Sequence, residues 1–183
     1  TASAPAPQPV ADSTDKATVS IANGPFGLAQ GMTLAQIGGK PEKVAPGIWR
    51  LASVPKPHSA FEEYIVQIGP TNGLCWIKAI GKTIKTNVYG SEVRSTFTDL
   101  KERLSANYGK SEDIDRLFPG SIWNEPQDWM MALLKKERLL FSSWDHESGA
   151  TLNSELKSVG LVASALGTEE AYISLEYYFS NEE

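Results

Sequence analysis

The sequence predicts an α+β fold, in which an antiparallel sheet of about six strands carries helices on one face. Short segments alternate apolar with polar residues, as strands with one buried face do, and two longer segments repeat apolar residues every three to four positions, as amphipathic helices do. The strands follow the helices in runs instead of alternating with them, which is typical of antiparallel α+β domains. With 183 residues, 41% of them hydrophobic, the chain is long enough to bury one core.

Residues 1–22 are predicted to form a flexible tether ahead of the domain. The segment TASAPAPQPVADSTDKATVS is rich in Ala, Pro, Ser and Thr and contains no aromatic residue. Such a composition buries too little apolar surface to offset the entropy lost on folding. The tether either holds the domain away from a membrane anchor or signal-cleavage site, or is an ordinary chain end. We expect a single α+β domain over 23–183, with 26–84 and 90–180 as its candidate halves.

The first half is predicted to begin with a short helix. Thr33 and Gln36 have the spacing of a capping box, in which each side chain bonds a free backbone N–H of the first turn, and the two glycines after Ile37 end the helix. The pair Asn72-Gly73 fits a tight hairpin turn between two antiparallel strands. Three strands are predicted in this half, at 47–54, 61–68 and 74–80.

Two helices are predicted in the second half. The first, at 91–109, carries one apolar stripe and ends at Gly109. The second begins near Asn124 and Gln127, a further capping-box spacing, and covers the sheet with about three turns. Its predicted core residues are Trp129, Met130, Leu133 and Leu134. The strands predicted after it lie at 138–145, 155–166 and 171–179.

The junctions that follow the first and second helices share a short pattern. Gly39 to Val44 reads GKPEKV and Gly109 to Ile114 reads GKSEDI, which share G-K-x-E-x-(V/I). Four constrained positions are compatible either with chance or with an internal duplication. The agreement of position and pattern favours two duplicated units, each a helix followed by three strands.

The segment FGLAQGMTLAQIGGKPEKV, residues 26–44, resembles the start of the repeat in the family of the beta-lactamase inhibitory protein and the small lipoprotein of the bacterial outer-membrane barrel-assembly machinery. The features that carry the resemblance are Gly31-Met32-Thr33, the short helix, and then Gly39 and Pro41. This helix is about one turn shorter than in those repeats, and the chain has no cysteine pair. The resemblance implies helices packed on an antiparallel sheet, an exported location and protein binding in place of catalysis.

Composition excludes several other classes of function. The net charge of −5, without a concentrated basic cluster, argues against nucleic acid as a partner. A single cysteine, Cys75, rules out an intrachain disulfide and a cysteine-rich metal site. No apolar run approaches the roughly 18 residues of a spanning helix, so we expect no transmembrane segment in the printed chain.

Chemically reactive side chains are few. Asp145 and His146 are neighbours in the segment WDHES, but adjacent residues of an extended segment point to opposite sides, so this turn is expected to be solvated. Cys75 lies between Leu74 and Trp76 in a predicted strand, which favours a buried packing thiol. No phosphate-binding or nucleophile motif occurs, and we expect no catalytic residue, no metal and no cofactor.

The tryptophans supply the remaining candidates for a binding site. Of the five, about three are expected in the core. Trp49 and Trp123 stand beside proline, glycine and polar residues and are expected to be exposed. The loop ASVPKPHSA, residues 52–60, presents Lys56 and His58. The predicted binding residues are therefore Trp49, Lys56, His58 and Trp123.

Three classes of function remain open on the sequence alone. The favoured one is a non-enzymatic exported or cell-envelope protein of bacteria, in the periplasm, that binds another protein. The alternative is an intracellular inhibitor or immunity-type protein of the cytoplasm, with which an acidic chain lacking catalytic groups also agrees. The third is a small enzyme that uses Cys75 or His146. The sequence does not predict an oligomeric state.

Overall fold

The computed structural model describes residues 23–182 and shows an α+β fold built on one antiparallel sheet. The predicted tether lies outside these residues. The helices are α1 (Leu34–Ile37), α2 (Ser91–Tyr108) and α3 (Trp129–Leu134), and the strands are β1 (Glu42–Ala45), β2 (Ile48–Leu51), β3 (Phe61–Gly69), β4 (Gly73–Gly81), β5 (Ile84–Lys85), β6 (Glu112–Leu117), β7 (Arg138–Asp145), β8 (Leu156–Ala165) and β9 (Glu170–Phe179).

The sheet consists of two antiparallel meanders that meet at their last strands. Its order is β1-β2-β3-β4-β9-β8-β7-β6, and the short β5 pairs with one end of β9. Strands β1 to β4 form the first meander and β6 to β9 the second, so the order is symmetric about the β4–β9 contact. The two meanders thereby share one continuous sheet and one core.

Within residues 23–182 the sheet has nine strands where about six were predicted, because three strands carry no alternating apolar pattern. Strands β1 and β6 occupy the two edges of the sheet, and β5 has only two residues. The sequence of β6, EDIDRL, is mostly charged and exposed. Charged side chains are usual on edge strands, since they discourage pairing with other molecules, and they conceal such strands from a hydrophobic pattern.

Helix α1 is short because its sequence provides signals for both ends. The Gln36 N–H donates to the Thr33 hydroxyl, and the Thr33 N–H donates to the Gln36 side chain, which confirms the capping box. Gly38 and Gly39 both have a positive φ. Gly39 is further constrained, because a Cβ there would lie 2.4 Å from the Ser53 carbonyl oxygen.

Helix α2 confirms the amphipathic segment predicted before Gly109. Its apolar stripe contributes Val93, Phe97 and Leu104 to the core, and Leu100 packs against it half-buried. The helix contacts β5, β8 and β9. Gly109 terminates it with a φ of 81°, so Gly39 and Gly109 both precede the first strand of a meander.

Helix α3 is shorter than the three turns expected. A 3-10 turn, Pro126–Asp128, precedes it, and the capping box joins Glu125 and Asp128, one residue later than the predicted pair Asn124 and Gln127. Trp129, Met130 and Leu133 are buried, as predicted, whereas Leu134 is only half-buried. Leu134 is the last residue of α3 and lines a cleft beside the ends of β7 and β8 that do not pair with each other, so less protein covers it.

The two faces of the sheet differ in burial. One face, which we call the inner face, directs side chains into the core together with those of α2 and α3. It includes Val66, Ile77, Val159, Leu175 and Trp144, all with at most 4% exposure. The opposite, outer face presents the alternating residues of the same strands, many of them half-exposed. No helix within residues 23–182 is long and apolar enough to cross a membrane.

Candidate functional site: a depression on the outer sheet face

The outer face carries a depression over the second meander. It has a volume of about 350 Å³, and its floor is the backbone of β8 at Gly160. A strand glycine in the interior of a sheet often marks a place where another group approaches closely, because it leaves the floor bare. The remaining lining residues are Phe141, Ser143, Asp145, Ser158, Val159, Val162, Glu176 and Tyr178.

Sheet register explains why these residues meet. Gly160 pairs with Ser143 on β7 and with Glu176 on β9. In the next row, Ser158 pairs with Asp145 and with Tyr178. Because paired residues of neighbouring strands point to the same face, two rows across three strands bring the polar groups together.

Glu176 is held in place by three donors. Its carboxylate accepts hydrogen bonds from the Tyr178 hydroxyl at 2.7 Å and the Trp76 indole Nε1 at 3.3 Å. The Lys78 ammonium lies 3.0 Å from its other oxygen. The side chain of Glu176 is only 14% exposed, so these contacts compensate for most of its lost hydration. They also link β4 with β9, the junction of the two meanders.

The Tyr178 hydroxyl is a donor over the whole physiological range. Burial, and then the hydrogen bond to Glu176, raise its pKa to about 12. Tyr178 therefore remains neutral. Its side chain lines the depression together with Phe141, whose ring lies 3.5 Å from the position that a Cβ of residue 160 would occupy. The depression thus combines aromatic walls with hydroxyl groups.

Asp145 supplies the second carboxylate. One of its oxygens accepts a hydrogen bond from the Ser148 N–H at 2.7 Å, which closes the turn after β7. The neighbouring His146 is exposed. In the described part of the chain, both charged residues that line the depression, Asp145 and Glu176, are acidic, so the lining favours a positively charged or hydrogen-bond-donating group.

The reactive groups considered in the sequence lie elsewhere or are poorly suited to catalysis. Cys75 is 1% exposed and its thiol contacts the Gln67 carbonyl. Burial, and then the charge of Glu182, raise the pKa of that thiol, which lowers the thiolate fraction at neutral pH. Within residues 23–182 no three His, Cys, Asp or Glu side chains are grouped so that they could hold a metal ion.

The four binding residues predicted from the sequence do not line this depression. Trp49 lies on β2, Lys56 and His58 are exposed in the loop before β3, and Trp123 follows β6. Five strands separate β2 from β6 in the sheet order, so Trp49 lies far from the strand that precedes Trp123. Trp49 and Trp123 were expected to be exposed, but both are half-buried. For Trp49 the reason is packing against the core, with the Lys43 ammonium 5.8 Å from its ring.

One residue of the sequence did indicate the depression, but it stands in a segment that otherwise has the pattern of an ordinary strand. Gly160 interrupts KSVGLVASA, a segment otherwise typical of a strand interior. The predicted number of core tryptophans, about three, was also too high, since only Trp129 and Trp144 are in the core.

Comparison of the chain with protein-family models, with curated protein sequences and with solved structures gave no match.

Proposed function

We propose that this protein is a non-enzymatic binding protein that recognises a protein partner through the outer face of its sheet. The observation that carries the proposal is the depression at Gly160, on a face that offers half-exposed aromatic and aliphatic side chains. Aromatic groups around a shallow pocket are typical of the energetic centre of a protein interface.

The charge of the lining indicates which kind of side chain a partner would place in the depression. The charged lining of the depression is acidic, and its two aromatic rings flank an uncharged floor. Glu176 already pairs with Lys78, whereas the one donor to the Asp145 carboxylate within residues 23–182 is the Ser148 N–H. An arginine or lysine side chain of the partner would bond Asp145 and stack against Phe141 or Tyr178.

An exported or cell-envelope location belongs to the same proposal. It is supported by the resemblance of residues 26–44 to an exported family of protein-binding proteins. The internal duplication predicted from the shared G-K-x-E-x-(V/I) pattern is supported separately, by the symmetric strand order and by the positive φ of Gly39 and Gly109 ahead of each meander.

Site-specific photo-crosslinking tests the proposal. A photoreactive amino acid is placed at Ser143 or Gln67 on the outer face, and at Glu102 on the exposed side of α2 as the control position. In cells that naturally make the protein, we expect an adduct of discrete mass from the two outer positions and none from position 102. Gly160→Ile, which fills the depression, is expected to abolish the adduct from position 143 without loss of fold.

The outcome can also contradict the proposal. Equal crosslinking from all three positions, or a position-143 adduct that survives Gly160→Ile, would show that the outer face does not select the partner. Circular dichroism and the thermal midpoint of the Gly160→Ile variant exclude unfolding as the reason for a lost adduct.

A further inference from the structure

The sheet divides at one end of the second meander. Pairing between β7 and β8 runs from Asp145–Ser158 to Phe141–Val162 and then stops. Beyond that point, Arg138 to Leu140 continue to pair with β6, and Ala163 to Ala165 continue to pair with β9. The two strands are therefore held by different neighbours, and a gap opens between them.

A cleft of about 280 Å³ lies at this gap. Its walls are mostly apolar and include Leu133 and Leu134 of α3, Leu139 of β7, Ala165 of β8 and Phe118 from the connection after β6. Phe118 is 39% exposed. The volume is close to the lower bound for small-molecule pockets, about 300 Å³. The cleft thus offers apolar surface that the fold itself leaves uncovered.

Among the residues that the structure describes, the two charged ones that line this cleft are both basic, Lys136 and Arg138, in a chain whose net charge is −5. Arg138 is fixed in position, because its guanidinium packs 5.6 Å from the Trp129 ring centre and its Nη1 lies 2.5 Å from Asp115. Asp115 neutralises part of the Arg138 charge. Lys136 is exposed and supplies a second cation at the same cleft.

Lys136 occupies a position where helices usually place glycine. The Glu137 N–H donates to the Ala132 carbonyl at 2.9 Å and the Lys136 N–H to the Leu133 carbonyl at 3.1 Å, which is the Schellman arrangement at the end of α3. The residue between these bonds must adopt a positive φ, here 59°. A lysine in this backbone conformation is less favourable than a glycine, and it places a cation beside the cleft.

We propose that this cleft binds a free medium-chain fatty acid, with the aliphatic chain between the separated strands and the carboxylate between Lys136 and Arg138. The apolar walls account for the chain, and the two cations account for the carboxylate. This site is separate from the outer-face depression, which has an acidic lining.

Decanoate is the probe, and nuclear magnetic resonance titration of the backbone amides is the measurement. We expect saturable shifts at Leu134, Leu139 and Ala165, with much smaller shifts for decanol, which has the same chain without the charge. Shifts centred on Gly160 and Tyr178, or equal affinity for decanol, would overturn the proposal. Tighter binding of an acetylated peptide that ends in leucine would overturn it as well, because the ligand would then be a protein terminus.

The Lys136→Gly variant tests decanoate binding without weakening the fold. Because glycine is favoured at this position, the thermal midpoint is expected to remain equal or to rise, while decanoate binds about tenfold more weakly. Lys135→Ala, in the same turn but outside the cleft, is the matched control and is expected to leave the affinity unchanged. Ala165→Leu fills the cleft and is expected to abolish binding. An unchanged affinity of the Lys136→Gly variant for decanoate would contradict the proposal, whatever the crosslinking experiment on the outer face shows.

Discussion

The two meanders present different outer surfaces at matching positions. Ile65 of the first meander pairs with Lys78, as Gly160 of the second pairs with Glu176, and Lys78 and Glu176 pair with each other across the junction. In the first meander the isoleucine covers the floor, whereas in the second the glycine exposes it. One missing side chain thus leaves the floor of one half of a nearly symmetric sheet open, where the matching position of the other half carries an isoleucine.

Charges are also arranged differently in the two halves. In the first, Arg50 on β2 lies 2.7 Å from Glu63 and 3.6 Å from Glu42, in an exposed ion-pair network. In the second, Asp145 lines the depression without a salt bridge among the described residues. The first meander therefore pairs the charges of Arg50, Glu42 and Glu63 with one another, while Asp145 of the second is left for another molecule.

The largest difference between the halves is expected at the glycines that precede them. Gly39→Ala combines a positive φ with a Cβ only 2.4 Å from a backbone oxygen, and we expect a loss of about 3 kcal/mol in the free energy of unfolding. At Gly109, where the nearest atom would be 3.9 Å away, alanine should cost about 1 kcal/mol. Urea unfolding of both variants measures the difference. Equal losses would show that the first junction is not more tightly packed.

The next effect concerns ion pairs at the junction and on the first meander. Lys78→Met leaves Glu176, which is 14% exposed, without its cation, and we expect a loss of about 2 kcal/mol in the free energy of unfolding. Arg50→Met is the matched control. Since the Arg50 side chain is 47% exposed, that loss should stay below about 1 kcal/mol. A larger loss for Arg50→Met would mean that the first meander depends on its surface network.

The smallest effect concerns Trp76 of the first meander and Tyr178 of the second, which pair with each other at the junction. The pKa of Tyr178 is raised from 10.0 to about 12, so its contribution to stability is complete below pH 10.0 and is lost as the pH rises toward 12. Tyr178→Phe is expected to reduce the alkaline loss of stability in urea unfolding, whereas Trp76→Phe retains it. Tyr177, whose pKa burial also raises, acts in the same direction in all three proteins. Identical alkaline slopes for Tyr178→Phe and the parent chain would contradict the assignment.

Prediction from sequence was most successful for features that residues close together in the chain form by themselves. The capping box at Thr33, the hairpin joining β3 to β4 and the stripe of α2 are local features, and the structure has each of them. Edge strands were missed because their side chains face solvent on both sides, so their sequences do not alternate between apolar and polar residues. The candidate site was missed for another reason. Gly160 and Asp145 lie fifteen residues apart in sequence, and only strand pairing brings them to one face.

The sequence by itself determined the α+β class, the positions of the central strands and the burial of Cys75, because apolar periodicity and capping are properties of neighbouring residues. The tertiary structure alone decided the symmetric strand order, the match of Ile65 with Gly160 and the gap between β7 and β8. Those features depend on which strands become neighbours, a choice made by long-range packing that no local pattern encodes.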